Sequence, residues 1–155
     1  MRFTLIVILL YGCTHSSNTD DLVDNKRLIE VLAKLDVPCN YSCRIIIFPM
    51  IGCSACSNQL IDNFCNIDNH ELITIIISGN NIEFLKKIKN LLPFNRIILD
   101  KSALTTQYGI VSMYPIFINK NQSDQMVKIE LKPGDHCSFI ALINKAFGNN
   151  DSLCY

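Results

Sequence analysis

Two short, continuous runs of apolar residues limit what this chain can fold into. Arg44 to Phe48 and Leu72 to Ile77 are rich in isoleucine and show no polar alternation. A strand of that kind is buried on both faces. Each run is followed by a segment with apolar residues at helical spacing. After the first come Leu60, Ile61 and Phe64; after the second come Leu85, Ile88 and Leu92. Strands that alternate with helices call for a parallel sheet covered on both sides.

The rest of the chain extends the pattern. A helix is expected from Asp20 or Asp21 to about Leu35, with Leu28, Val31, Leu32 and Leu35 on one stripe and Pro38 closing it. The second helix should start at the cysteines after Gly52 and reach about Asn66. A third should run from Ile82 to Leu92 and stop at Pro93. Arg96 to Leu99 reads as a strand and Ser102 to Tyr108 as a short helix ended by Gly109. Ile116 to Ile118 and Met126 to Leu131 read as an antiparallel pair across a polar turn, Asn119 to Asp124. Asp135 then caps a last helix carrying Phe139, Ile140, Ile143 and Phe147, with Gly148 past its end. The expected class is α/β, a central mixed sheet flanked by helices with one extra helix at the N-terminus. No internal repeat is visible, and 155 residues suit one core.

The first residues read as an address. Met1-Arg2 is positive, Phe3 to Tyr11 is apolar apart from Thr4, and Gly12-Cys13 precedes a polar stretch from Thr14 to Asp21. That order is the grammar of a secretory signal, and the run is too short to span a bilayer as a helix. Leu10-Tyr11-Gly12-Cys13 resembles the lipobox of bacterial lipoproteins. The resemblance implies a signal over 1–12, a lipidated Cys13, a tether over 13–21 and a domain over 22–155. It also implies a bacterial envelope location, lipid-anchored and facing the periplasm or exterior, where disulfides persist.

Balanced charge argues against a nucleic-acid partner. Lys86-Lys87-Ile88-Lys89 is expected to be the wet face of the third helix. His15, His70 and His136 are scattered without metal-ligand spacing to the cysteines. No phosphate loop, Ser–His–Asp set or carboxylate pair stands out.

The chemistry is expected at Cys53-Ser54-Ala55-Cys56. A strand end followed by a helix start puts these thiols where unpaired N–H groups and the helix dipole favour thiolate. Cys53 would attack a disulfide and Cys56, one turn inward, would resolve the mixed species. The stretch resembles thioredoxin-like proteins, especially membrane-tethered thiol–disulfide oxidoreductases of bacterial envelopes. Phe48 lies five residues before Cys53, and CxxC opens the first core helix. Leu104, Tyr108-Gly109-Ile110-Val111 and Tyr114-Pro115-Ile116-Phe117-Ile118 match the family's later helix, turn, proline and strand. The resemblance covers about 36–150. It implies that Pro115 is cis, that Tyr114 and Pro115 bind substrate, and that no cofactor is needed. The partners it implies are a protein carrying a disulfide or thiol and an upstream electron donor.

The chain departs from that pattern at three places. Gly52 stands where many members carry tryptophan. Ile47 replaces a buried acid, and Gln59 stands where many envelope reductases carry glutamate. The usual proton acceptor for Cys56 is absent from these positions, so the direction of electron flow is open. Two other readings of the motif stay open as well: a redox-inactive binding lipoprotein, and a copper or zinc carrier using the two thiolates.

Setting aside Cys13, Cys53 and Cys56 leaves five of the eight cysteines: Cys39, Cys43, Cys65, Cys137 and Cys154. Five cannot all pair within one chain. In extended chain Cys39 and Cys43 would have Cα atoms roughly 13 Å apart, so they bridge only if Asn40-Tyr41-Ser42 turns. A structural bridge, free thiols and a second redox pair relaying electrons to Cys53 and Cys56 are the alternatives. Cys65 and Cys137 read as buried small hydrophobes; nothing in the sequence fixes the role of Cys154.

Overall fold

The computed structural model describes residues 20–39, 43–49, 51–52, 54–64, 67, 70–93, 95–120, 126–132, 134, 140–141 and 143–144. The signal and lipidation readings at 1–13 lie outside these residues, as do Cys53, Cys65, Cys137, Cys154, His15, His136 and most of the expected last helix.

The chain begins with α1 (Asp20–Lys34), β1 (Cys43–Phe48) and α2 (Ser54–Asp62). After a short 3-10 turn at His70–Leu72 come β2 (Thr74–Ser78), α3 (Ile82–Leu91), β3 (Ile97–Asp100) and α4 (Leu104–Gln107). The hairpin strands β4 (Ile116–Lys120) and β5 (Met126–Glu130) follow, and Ile140, Ala141, Ile143 and Asn144 are helical. The strands form a mixed sheet in the order β3-β2-β1-β4-β5. β1 pairs parallel with β2, and β2 with β3; β4 runs antiparallel to both β1 and β5. The α/β class, the mixed sheet flanked by helices and the extra N-terminal helix are all present.

β1 divides the core. Ile46 and Phe48 face one side, with Ile75, Ile77, Phe117, Cys56 and Leu60 of α2 and Ile88 of α3. Ile45 and Ile47 face the other, with Leu28, Val31 and Leu32 of α1, Ile76 and Ile118. These four of the six β1 side chains are fully buried, which is why no polar residue interrupts Ile45 to Phe48. Fully burying each contributes about 1.5–3 kcal/mol. The two parallel crossovers put α2 and α3 on one face, leaving the other to α1 and α4.

Several element boundaries differ from the sequence expectation. β4 runs to Lys120 rather than Ile118, because Asn119 and Lys120 pair with Arg44 and Cys43 of β1, and β3 is shifted by one residue to Ile97–Asp100. Three others lie beside local hydrogen bonds. α2 ends at Asp62 rather than near Asn66. The Asn63 side chain donates to the Gln59 carbonyl at 2.9 Å, sharing that acceptor with its own backbone N–H at 3.2 Å and capping the helix end. β2 begins at Thr74 rather than Leu72, because the Ile73 N–H donates back to the His70 carbonyl at 3.0 Å. Leu72, in that turn, is exposed. α4 begins at Leu104 rather than Ser102. The buried carboxylate of Asp100 accepts from the N–H groups of Leu104 and Thr105 and from the Thr105 hydroxyl at 2.8–2.9 Å.

On the surface, the Lys34 ammonium donates to Glu30 at 2.8 Å and to the Tyr108 hydroxyl at 2.6 Å, linking α1 to the end of α4. Its bond to Lys34 holds the Glu30 carboxyl below its ordinary range.

Asp100 is the buried group whose partners depend on it most. Asp100→Ala removes the acceptor for two backbone N–H groups and a buried hydroxyl, each costly to leave unmade. We expect a loss of about 3 kcal/mol in urea denaturation, with the sheet retained in the far-ultraviolet spectrum of the folded fraction.

Candidate functional site

The strand order decides where the chemistry can sit. β1, β2 and β3 end, and β4 begins, at the same edge of the sheet. The chain leaves β1 at Phe48 and enters α2 at Ser54. α2 therefore starts at that edge. Cys56 lies in the first turn of α2, where N–H groups lack helical partners.

Cys56 is only 3% exposed and packs in the same cluster as Phe48 and Leu60. It is disulfide-bonded. Among the described cysteines, Cys39 and Cys43 bond each other, so the partner of Cys56 lies outside the described residues. Cys56 is thus buried within the first turn of α2.

Gly52 explains a departure noted in the sequence. A Cβ there would overlap the backbone carbonyl of Met113 and press on Pro49. No side chain fits without moving backbone, so the tryptophan of the resembling family has no room here. The same contact brings the segment before the dithiol against the loop that leads into β4. Tyr114, in that loop, is half-buried and packs against the cluster containing Cys56. Pro115 is buried, and its carbonyl accepts from the Leu131 N–H at 2.8 Å. Tyr114 and Pro115 are thus brought beside the start of α2, although some sixty residues separate them in sequence.

One implied feature is corrected. The Tyr114–Pro115 peptide is trans; there is no cis bond among the described residues. The trans form is the lower-energy one for X–Pro by about 0.5–1 kcal/mol, and the Pro115 carbonyl is engaged with Leu131 in this arrangement.

Ile47 sits on the α1 side of the sheet and Cys56 on the other. Gln59 is half-buried on α2. Cys56 packs into the apolar core formed with Phe48, Leu60 and Phe117. Around them the surface is apolar as well: Ile51 is 78% exposed and Met113 58%. Pro49 to Gln59 and Val111 to Ile116 contain no charged residue. Sequence reasoning did not single out Ile51, Gly52 or Met113 as a surface. The signal was available in the uncharged run on both sides of the cysteines, but the approach of Met113 is a long-range contact.

The second disulfide joins Cys39 to Cys43, with Cα atoms 5.0 Å apart rather than the separation of an extended chain. It closes a short loop, which constrains the unfolded chain by about 2 kcal/mol. It lies at the start of β1, whereas Cys56 lies beyond its end. β1 has six residues, a span of about 17 Å. Sulfurs exchange only on contact, so the relay considered among the alternatives has no direct path.

Among the described residues no group of three His, Cys, Asp or Glu side chains is placed to hold a metal ion. His70 instead packs edge-on against Phe64. No described helix is long and apolar enough to cross a membrane.

Comparison with protein-family models, curated proteins and solved structures finds no match.

Gly52→Ala tests the geometry of the site. The added methyl must displace the Met113 carbonyl, at a cost of about 1–3 kcal/mol. We expect a lower denaturation midpoint together with a changed rate of reduction of the Cys56 disulfide by dithiothreitol. An unchanged rate and midpoint would show that the two segments do not meet.

Proposed function

We propose that this chain is a thioredoxin-like thiol–disulfide oxidoreductase acting on protein substrates outside the cytosol, tethered to a membrane through lipidated Cys13. The observation that carries the reading is the buried, disulfide-bonded Cys56 in the first turn of α2, beside the Met113–Pro115 loop. In this reading its partner is Cys53, which directly precedes the helix in sequence.

The chemistry follows from that placement. In the reduced protein the helix dipole and unpaired N–H groups favour the Cys53 thiolate. The thiolate attacks one sulfur of a substrate disulfide, and the other substrate sulfur leaves as thiolate. Cys56 then attacks Cys53, re-forms the internal disulfide and expels the first substrate sulfur. Two electrons pass from protein to substrate, and a dithiol donor restores the pair; run backwards, the same steps oxidise a substrate dithiol. Tyr114 and Pro115 bind the substrate chain beside the exchanging sulfurs. The exposed Ile51 and Met113 suit an apolar polypeptide segment around the reacting cysteine.

The departures at Ile47, Gly52 and Gln59 favour one other reading. With Ile47 and Gln59 at the positions where the resembling proteins carry acids, the internal disulfide can also be a static bridge in a binding module that presents the same surface.

Trapping separates the two. Cys56→Ser removes the resolving thiol and leaves Cys53 to form a lasting mixed disulfide. We expect a covalent adduct with insulin that dithiothreitol reverses and that Cys53→Ala abolishes. Absence of any adduct, with full insulin reduction unchanged in Cys53→Ala, would contradict the oxidoreductase reading.

A further inference from the structure

Lys120 is a buried cation with no place in the chemistry above. It is 7% exposed, although lysine is almost never buried unless its charge is used. Two independent placements set it at the second disulfide. It is the direct cross-strand partner of Cys43 in the β1–β4 ladder, so their side chains share a face of the sheet. Its ammonium also donates to the Cys39 carbonyl at 3.2 Å. The positive charge is therefore held beside the bond that joins the two cysteines. Cys39 is buried, while Cys43 is half-buried, so Cys43 is the more exposed of the two.

We propose that Cys39–Cys43 is a second thiol–disulfide exchange site, reduced by an external dithiol, in which Lys120 stabilises the departing Cys39 thiolate. A thiolate of the donor attacks the Cys43 sulfur. The Cys39–Cys43 bond breaks and Cys39 leaves as thiolate beside the ammonium. The donor's second thiol then attacks the mixed disulfide and releases Cys43, which takes a proton from water. The donor loses two electrons and becomes a disulfide, and the protein gains a dithiol. A lower thiol pKa makes a better leaving group and a more stable reduced state, and a neighbouring lysine ammonium lowers it. The site works at the opposite end of β1 from Cys56, so its redox state is set independently of that pair.

The test uses the full chain equilibrated in graded ratios of reduced to oxidised dithiothreitol, followed by differential alkylation and peptide mass spectrometry. Cys39 and Cys43 are scored separately from Cys56. In Lys120→Met the ratio that half-reduces Cys39–Cys43 should rise on the order of tenfold. In Lys120→Arg it should return to within about threefold of the native value. The ratio for Cys56 should not move in either variant. An unmoved Cys39–Cys43 midpoint in Lys120→Met overturns the proposal, as does an equal shift at Cys56. The native protein gives a second readout. After reduction, Cys43 should favour anionic iodoacetate over neutral iodoacetamide several-fold more than the guanidinium-unfolded chain does. Equal preference in the folded and unfolded chains overturns the proposal even if Lys120→Met does not fold.

Discussion

The burial of β1 on both faces is the constraint on which the rest of the structure depends. Its last four side chains, Ile45 to Phe48, are divided equally between the two halves of the core. A strand so buried must have hydrogen-bonded neighbours on both edges, and β2 and β4 supply them. Parallel pairing on one side demands a helical crossover, and α2 is that crossover. The start of α2 is held at the sheet edge because the strand that feeds it cannot shift register without exposing isoleucines.

The site depends on this frame through two contacts rather than through a charged network. Cys56 is anchored in apolar surroundings at the head of α2. The absence of a side chain at Gly52 lets the Met113–Pro115 loop close on the segment before it. Antiparallel β4 is what brings that loop to the same edge, since β4 starts where β1 ends. The account thus assigns reactivity to the helix terminus and selectivity to an uncharged surface. Lys120 and the Cys39–Cys43 bond occupy the far end of β1, where they bind the entry to the strand to its partner β4.

Much of this was legible in the sequence because it rests on local patterning. The isoleucine runs located β1 and β2, and helical spacing located the stripes of α1 and α3. The boundaries that were misjudged at Asp62, Thr74 and Leu104 are governed by single hydrogen bonds from Asn63, Ile73 and Asp100, which apolar periodicity does not register. At the site, the position of Cys56 followed from its place in a helix start. The role of Gly52 did not, because a missing tryptophan read as a departure is, in three dimensions, a requirement for space. The closeness of Lys120 to Cys39 and Cys43 was equally hidden, since it depends on the pairing of strands far apart in sequence. The trans Tyr114–Pro115 bond shows that a matching proline does not carry its conformation with it.

The central claim is that the Cys56 disulfide exchanges with substrate rather than merely bracing the fold. Its reduction potential, measured by equilibration of the full chain with dithiothreitol or glutathione and alkylation of Cys56, tests this most directly. The account predicts a value between about −270 and −120 mV, the range of working dithiol exchangers. A value below about −300 mV, typical of structural bridges, would contradict it.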